Sequence, residues 1–396
     1  MATNTDFSSL SLFLATPAQT IESYRRTTKE WGRGQTEEQY IRHNQFQAET
    51  FECAKEGKWV VWVLAPRNDP RTLQFKCACE TYQRTGLVLE RNATSPKEVT
   101  CYGIASVFTP PSERGKGYAR HMARLLHWVL SQSGSLPPSS FPEEWGSPPP
   151  RVESAGNGCF SALWSDVGHF YQNCGPFGEE DGGWRVKDAK STIWEVEQVP
   201  KDELANIAHM RWDWLNEDTV EHIWRDDVDV IRAELASLGP NQDKTFFTFL
   251  PSSGVESFQR AKLKFLWERE DFTQWGVTAH RSKENLGPPD FATWTVLLSG
   301  PTPRTLLITR LRAHGDTFPI ILSRAVEVAK KHDLQRIEVW NLTEQLQRSG
   351  APGATSVRDD HLPAVQWYGS AKEGELVWLN NEKYIRLHSF RLYTAR

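Results

Sequence analysis

Apolar and polar positions cut the first 200 residues into a short series of elements. "LSLFLATPAQTIESYRRTTKEWG", from Leu10, reads as a strand, a turn and a helix. "TEEQYIRHNQFQAETFECAKEGK" has helical character up to Gly57. The continuous apolar run "WVVWVLAP" (59–66) predicts a buried strand. Further strands are expected over 73–90, where the strand bends, and over 99–110, where Pro110 and Pro111 stop it. A helix starts near Gly117, with Met122, Leu125, Leu126 and Val129 forming one buried stripe. Residues 131–151 hold six Pro and six Ser and predict an irregular insertion with no core of its own. "CFSALWSD" (159–166) is then a strand and "VGHFYQNCG" (167–175) a short helix, with Asp166 as its cap and Val167, Phe170, Tyr171 and Cys174 on one face. "TIWEVEQV" is the last strand before "PKDEL" at 200–204.

That point divides the chain into an N-terminal domain, 1–199, and a C-terminal domain, 200–396. The second opens with two helices, "PKDELANIAHMRWDWLNED" and "VDVIRAELASLG". Strands follow at "KTFFTFLP", "QWGVTAH", "FATWTVLLS" and "RTLLITRLRA". The helix "FPIILSRAVEVAKKH" has Pro319 near its start and Leu322, Ala325, Val326 and Ala329 on one face. "RIEVWNL" closes the series as a strand. Strand, helix, strand thus ends both halves, at 99–166 and 304–342, and the second half reads as a diverged copy of the first.

Composition narrows the classes. Hydrophobic residues are 39% and charged residues 24% of 396, enough for two globular cores. The formal net charge is −4, and no Lys/Arg block forms a nucleic-acid footprint. The 17 Trp are read as core and pocket walls. Six cysteines lack zinc spacing and read as buried reduced thiols of a cytoplasmic protein, with no metal. The first 20 residues lack a signal-peptide pattern, and no run approaches a membrane span.

The stretch "FTPPSERGKGYARHMARLLHWVL" (108–130) carries the chemistry. Gly115 and Gly117 let backbone approach a ligand, and the first N–H groups of the following helix have no internal partners. With the positive end of the helix dipole, they form an anion site suited to a pyrophosphate. Walker and dinucleotide spacings both fail here, whereas Arg114, Gly117 and Ala119 fit R-x-x-G-x-[GA].

With the downstream "ALWSDVGHFYQNCGPF", that stretch resembles the GNAT superfamily of acyl-CoA N-acyltransferases, over most of residues 10–200. The Pro-rich insertion departs from a compact member. The resemblance implies an α/β (α+β) fold whose central mixed sheet splays, with acyl-CoA, here acetyl-CoA, in the gap. Val107 and Thr109 would offer backbone groups to the acyl and pantetheine arm, and the Val107 or Phe108 N–H would donate to the carbonyl oxygen as it gains charge. Arg114, Gly115, Lys116, Gly117, Tyr118 and Ala119 would cradle the pyrophosphate. Tyr171 stands where the family places a tyrosine that protonates the leaving thiolate. Its usual glutamate base falls on Gly103, so Glu80 on the preceding strand is the first substitute; His169, Asp166 and a water chain follow.

Length, domain order and the two motifs are similar to the fungal lysine N6-acetyltransferase family, which acetylates free lysine in lysine catabolism. The C-terminal half, a degenerate GNAT-like domain without R-x-x-G-x-[GA], would close the groove over a small amine. The pocket would then need a carboxylate for the amines, and an Arg or N–H groups for the substrate's carboxylate. Other amines (a polyamine, an aminoglycoside, a protein lysine) and a non-catalytic acyl-CoA sensor stay open as alternatives. Neither nucleic acid nor membrane is expected as a partner.

Overall fold

The computed structural model describes residues 6–32, 34–51, 53–180, 182–199, 210–240, 243–251, 271–281, 288–298 and 303–379. Two mixed sheets organise the chain. The first begins with β1 (Leu10–Leu14). Two helices follow, α1 (Pro17–Trp31) and α2 (Glu37–Thr50). Each starts on a Thr/Gln capping box, Thr16 with Gln19 and Thr36 with Gln39, which satisfies two orphan donors at each helix start. The strands β2 (Trp59–Pro66), β3 (Cys77–Leu89) and β4 (Lys97–Phe108) continue the sheet. Next come α3 (Tyr118–Leu130) and β5 (Phe160–Ser165). Both are buried, α3 along the stripe its sequence predicts.

Strands do not sort by chain half. β6 (Arg185–Val186) stays with the first sheet, but β7 (Lys190–Glu195) lies in the second, antiparallel to β13 (Arg336–Trp340). β8 (Trp212–Leu215), β10 (Gly276–Ala279), β11 (Asp290–Leu297), β12 (Thr305–Arg312) and β14 (Ala354–Val357) complete the second sheet. Three strands return to the first: β9 (Thr245–Phe249), β15 (Leu362–Trp367) and β16 (Leu376–Trp378). β15 pairs with β5, β9 with the far half of β3, and β16 with β9. The sheet therefore borrows three strands from downstream of residue 240, on which the motifs were silent.

Helices α4 (Glu217–Ser237), α5 (Phe318–Lys331) and α6 (Glu344–Ser349) belong to the second half. Its β12–α5–β13 unit repeats the order of β4–α3–β5, and β12 and β13 are parallel.

Four local expectations are corrected. The end of the first helix expected after residue 200 is strand β8, because Trp212 to Leu215 pair with β10; residues 200–209 lie outside the described residues. Residues 167–175 form only one 3-10 turn, Phe170–Asn173, whose cap position is His169. Asp166 is not the cap: its Oδ1 accepts from the His361 backbone N–H and lies 2.5 Å from His361 Nδ1. Val167, expected on the buried face, is 59% exposed.

The 131–151 insertion has no core of its own, and it lends Phe141 and Trp145 to the cluster beneath α3. Arg67 clamps it, donating to the Trp145 carbonyl at 3.0 Å and to Ser147 Oγ at 2.9 Å.

Candidate active site

The site is built on a fork. β4 and β5 run parallel and pair only through Cys101–Phe160, Tyr102–Ser161 and Gly103–Ala162. β4 continues to Phe108 and β5 to Ser165 without further pairing. Alternate backbone groups of residues 104–108 on the side of β5 therefore have no strand partner and can take a ligand. The β3–β4 register slips at the same level: Glu80 opposes Ala105, yet Ala78 opposes Phe108. The extra residue is absorbed as a bulge around Ser106, whose φ is +53°. Such a bulge re-aims its neighbours, here Val107 and Phe108, at the mouth of the fork. Val107 packs on the α3 side, and Phe108 packs edge-on against Trp31 of α1. Thr109 receives Arg114 Nε at its carbonyl, 3.0 Å away.

The glycine turn lies open at the mouth of the fork. Arg114, Gly115, Lys116 and Gly117 are all exposed, while Tyr118 is buried and Ala119 half-buried. φ is +78° at Gly115 and +84° at Gly117, a region that costs an L-residue about 1–2 kcal/mol. No atom lies within 4 Å of where a Cβ on Gly115 would be, whereas the Phe7 ring is 2.9 Å from that point at Gly117. Gly117 caps α3 with no side-chain hydrogen bond, so the first amides of the helix point out of the turn unclaimed by a cap.

Arg114 folds back on the scaffold, reaching Glu30 at 3.5 Å as well as Thr109, so the guanidinium shapes the turn and the amides face outward. Lys116 pairs with Glu113 at 3.0 Å. A hollow of about 730 Å3 opens beside the turn, with Arg67, Lys76, Lys116 and Tyr118 in its lining. An uncapped helix start, an open glycine and three nearby cations fit a coenzyme diphosphate.

Glu80 is 6% exposed and so does not face solvent. It points to the face of the sheet covered by α1 and α2, where Tyr24, Tyr40, Trp59 and Tyr82 cluster. Trp59 and Tyr82 stack at 5.9 Å. Tyr82 Oη donates to Glu80 Oε2 at 2.8 Å and Ser106 Oγ donates to the same oxygen at 2.9 Å. Burial, and then the Glu80 charge, hold the Tyr24 and Tyr82 phenols well above their ordinary pKa, so both stay protonated, Tyr82 as a donor to Glu80. A carboxylate among aromatic faces is a receptor for an alkylammonium. Glu80, opposite Ala105, lies two residue pairs along the ladder from the Tyr82–Gly103 pair, on the same face of the sheet.

Tyr171 is 5% exposed and packs edge-on against Phe170 and Trp184 on the α3 side of the sheet. His169 is exposed and engages Gln172. Ser106, Tyr82 and Tyr24 were beyond sequence reasoning: a bulge has no composition signal, and aromatics read equally well as core.

The corresponding turn of the second half holds an anion of its own. The buried Asp290 carboxylate accepts from the His314 backbone N–H at 3.0 Å and from Thr317 Oγ1 at 2.5 Å, just before α5. Among the described residues no group of three or more His, Cys, Asp or Glu is arranged for a metal ion, and no helix is long and apolar enough to cross a membrane.

Comparison with known proteins agrees with this geometry. A conserved Enterococcus faecalis V583 protein of unknown function, designated a probable N-acyltransferase, superposes with a TM-score of 0.50 at 10% identity, over 91% of this chain and 72% of its own. A GCN5-related N-acetyltransferase from Kribbella flavida gives 0.49 at 11% identity, over 90% and 71%. The forked mixed sheet with its glycine turn is the fold of the GNAT N-acyltransferases. Within that class, residues 195–386 match the family described as the LYC1 GNAT-like C-terminal domain. A protein of Yarrowia lipolytica (strain CLIB 122 / E 150) named lysine acetyltransferase is 33% identical over 104 residues, 26% of this chain and 25% of that relative. The match thus spans a quarter of that protein's length. The chain thus has the GNAT fold, residues 195–386 are similar to the LYC1 GNAT-like C-terminal domain, and about a quarter of its length is similar to the Yarrowia lysine acetyltransferase.

Proposed function

We propose that this protein transfers acetyl from acetyl-CoA to the N6 amine of free L-lysine, in the cytoplasm. One observation carries the reading: the fork, the open glycine turn and a buried carboxylate meet at one end of β4. The amides of residues 115–119 hold the diphosphate. The unpaired backbone of residues 104–108 holds the arm and receives the carbonyl oxygen as it gains charge.

An alkylammonium has a pKa of about 10.4, so it must lose a proton before it attacks. Glu80 takes that proton, directly or through one water, and the free amine adds to the thioester carbonyl. The C–S bond breaks, the Tyr171 hydroxyl donates a proton to the departing thiolate, and the proton shed by the new amide nitrogen restores the tyrosine. The balanced outcome is an amide, a free thiol and one proton released to solvent. The aromatic wall around Glu80 favours an amine on a long apolar stem. The second half, which lends β9 and β16 to the same sheet, encloses such an amine.

The test is to mix the full chain with acetyl-CoA and a panel of amines, following thiol release and product mass. Turnover of lysine, but not of spermidine, an aminoglycoside or a histone peptide, is expected. Preference for any of those three defeats the lysine assignment. Coenzyme binding without turnover of any amine makes the protein a sensor and defeats catalysis.

A further inference from the structure

A free amino acid brings a carboxylate that needs a cation, and the fold supplies one. Side chains of β3 alternate between faces, so Glu80, Tyr82 and Arg84 project from the same face. Arg84 is 4% exposed, a costly placement for a guanidinium unless it is paired and hydrogen-bonded. The C-terminal half steadies it: the guanidinium carbon lies 4.5 Å from the centre of the Phe249 ring, and Nη2 donates to the Leu250 carbonyl at 3.4 Å. Its stem leans toward the fork. Cys101 is the residue opposite Arg84, yet Arg84 Cδ lies 4.0 Å from where a Cβ on Gly103 would stand.

The floor at that point is made of small residues. Gly103 and Ala162 form the last pair before the strands part, and Ala105 opposes Glu80. Tyr82 borders the floor, its Cβ also 4.0 Å from the Gly103 position. An anion and a cation thus flank the floor, four residues or about 13 Å apart along an extended strand.

We propose that Arg84 binds the α-carboxylate of an amino acid whose side-chain amine is delivered to Glu80. This assignment rests on the acyl-transfer reading. The site then selects a substrate with opposite charges at its ends. A polyamine would bring a second cation to Arg84, and a lysine within a peptide has no free carboxylate to offer.

The experiment compares L-lysine with cadaverine, which is lysine without its carboxylate, on the full chain. The native enzyme is expected to favour lysine. Arg84→Gln is expected to raise KM for lysine about 100-fold with a smaller change in kcat, and to lose far less on cadaverine, so that the preference collapses. Arg84→Lys keeps the charge without the planar fork and is expected to recover lysine to within about tenfold of the native KM. Acetyl-CoA affinity by calorimetry reports that each variant is folded, and Arg84→Lys carries the comparison if Arg84→Gln does not fold. A lysine preference kept in full by Arg84→Gln, or by Arg84→Lys where that variant stands in for it, or equal losses on both substrates, overturns the assignment while the acyl-transfer reading stands. A native enzyme that acetylates neither substrate defeats that reading, and the assignment with it.

Discussion

Ser106 Oγ donates a hydrogen bond of 2.9 Å to Glu80 Oε2, tying the bulged residue of one strand to the buried carboxylate of the next. The bulge does two things at once. It turns the backbone of Val107 and Phe108 to the mouth of the fork, and it fixes the carboxylate beside that backbone. The proposed base and oxyanion donors would have to be placed together to a fraction of an ångström, and a bulge on a central strand holds these groups together through two neighbouring ladders.

Glu80→Gln keeps the shape and both acceptor contacts of one oxygen while removing the base. It is expected to lower kcat about 100-fold or more, the range for loss of general base catalysis. The residual rate is expected to rise with pH as the amine loses its own proton. Initial rates between pH 7 and 10 measure this, and a fully active variant removes Glu80 from the chemistry.

Tyr171→Phe is expected to reduce kcat by about 100-fold or more, with little change in KM for acetyl-CoA, because in the proposed mechanism the hydroxyl acts on the leaving group and not on binding. The ring packing against Phe170 and Trp184 is preserved by phenylalanine. Native-like kcat would return Tyr171 to a purely structural role.

Gly117→Val faces two penalties. The backbone sits at φ +84°, and the Phe7 ring occupies the space a Cβ needs, 2.9 Å away. The strain is about 1–3 kcal/mol before any clash. Acetyl-CoA affinity is expected to fall at least tenfold by calorimetry. Gly115→Ala has the same backbone cost but open space, so it should lose less. Equal affinity in all three proteins would show that the turn does not hold the coenzyme.

Acid should destabilise the N-terminal core through two histidines. Burial pushes His127 and His121 down from 6.5 to about 3. The His127 ring stacks on Trp184 at 4.0 Å, and its Nε2 meets the Cys174 carbonyl at 2.8 Å. Above pH 6.5 both rings are neutral folded or unfolded, and they cost nothing. Below it the unfolded chain takes up protons that the fold refuses, and stability is lost progressively between pH 6.5 and about 3. At pH 5 the loss is about 2 kcal/mol for each. Tm measured from pH 7.5 to 5 should fall, and fall less steeply in His127→Asn. A Tm independent of pH over that range would contradict the burial.

The one-dimensional pattern determined the local elements and the chemistry of the turn. β2 spans the eight residues its apolar run marks out, and α3 buries the stripe its periodicity sets. Two glycines before that stripe specify positive φ and an uncapped helix start wherever the chain goes. These features depend on residues within one or two turns of each other, and so they can be read in order along the chain.

The tertiary structure alone decided the rest. Whether Glu80 faced water or a cage of aromatics depended on α1 and α2 folding over β3, and the bulge that seats it depended on the register of two strands. The exchange of β7, β9, β15 and β16 between sheets, and the Phe249 contact that steadies Arg84 beside the fork, join residues more than 130 positions apart. Pairing at such separations is settled by the global competition for buried area and hydrogen bonds, which leaves no mark on local periodicity.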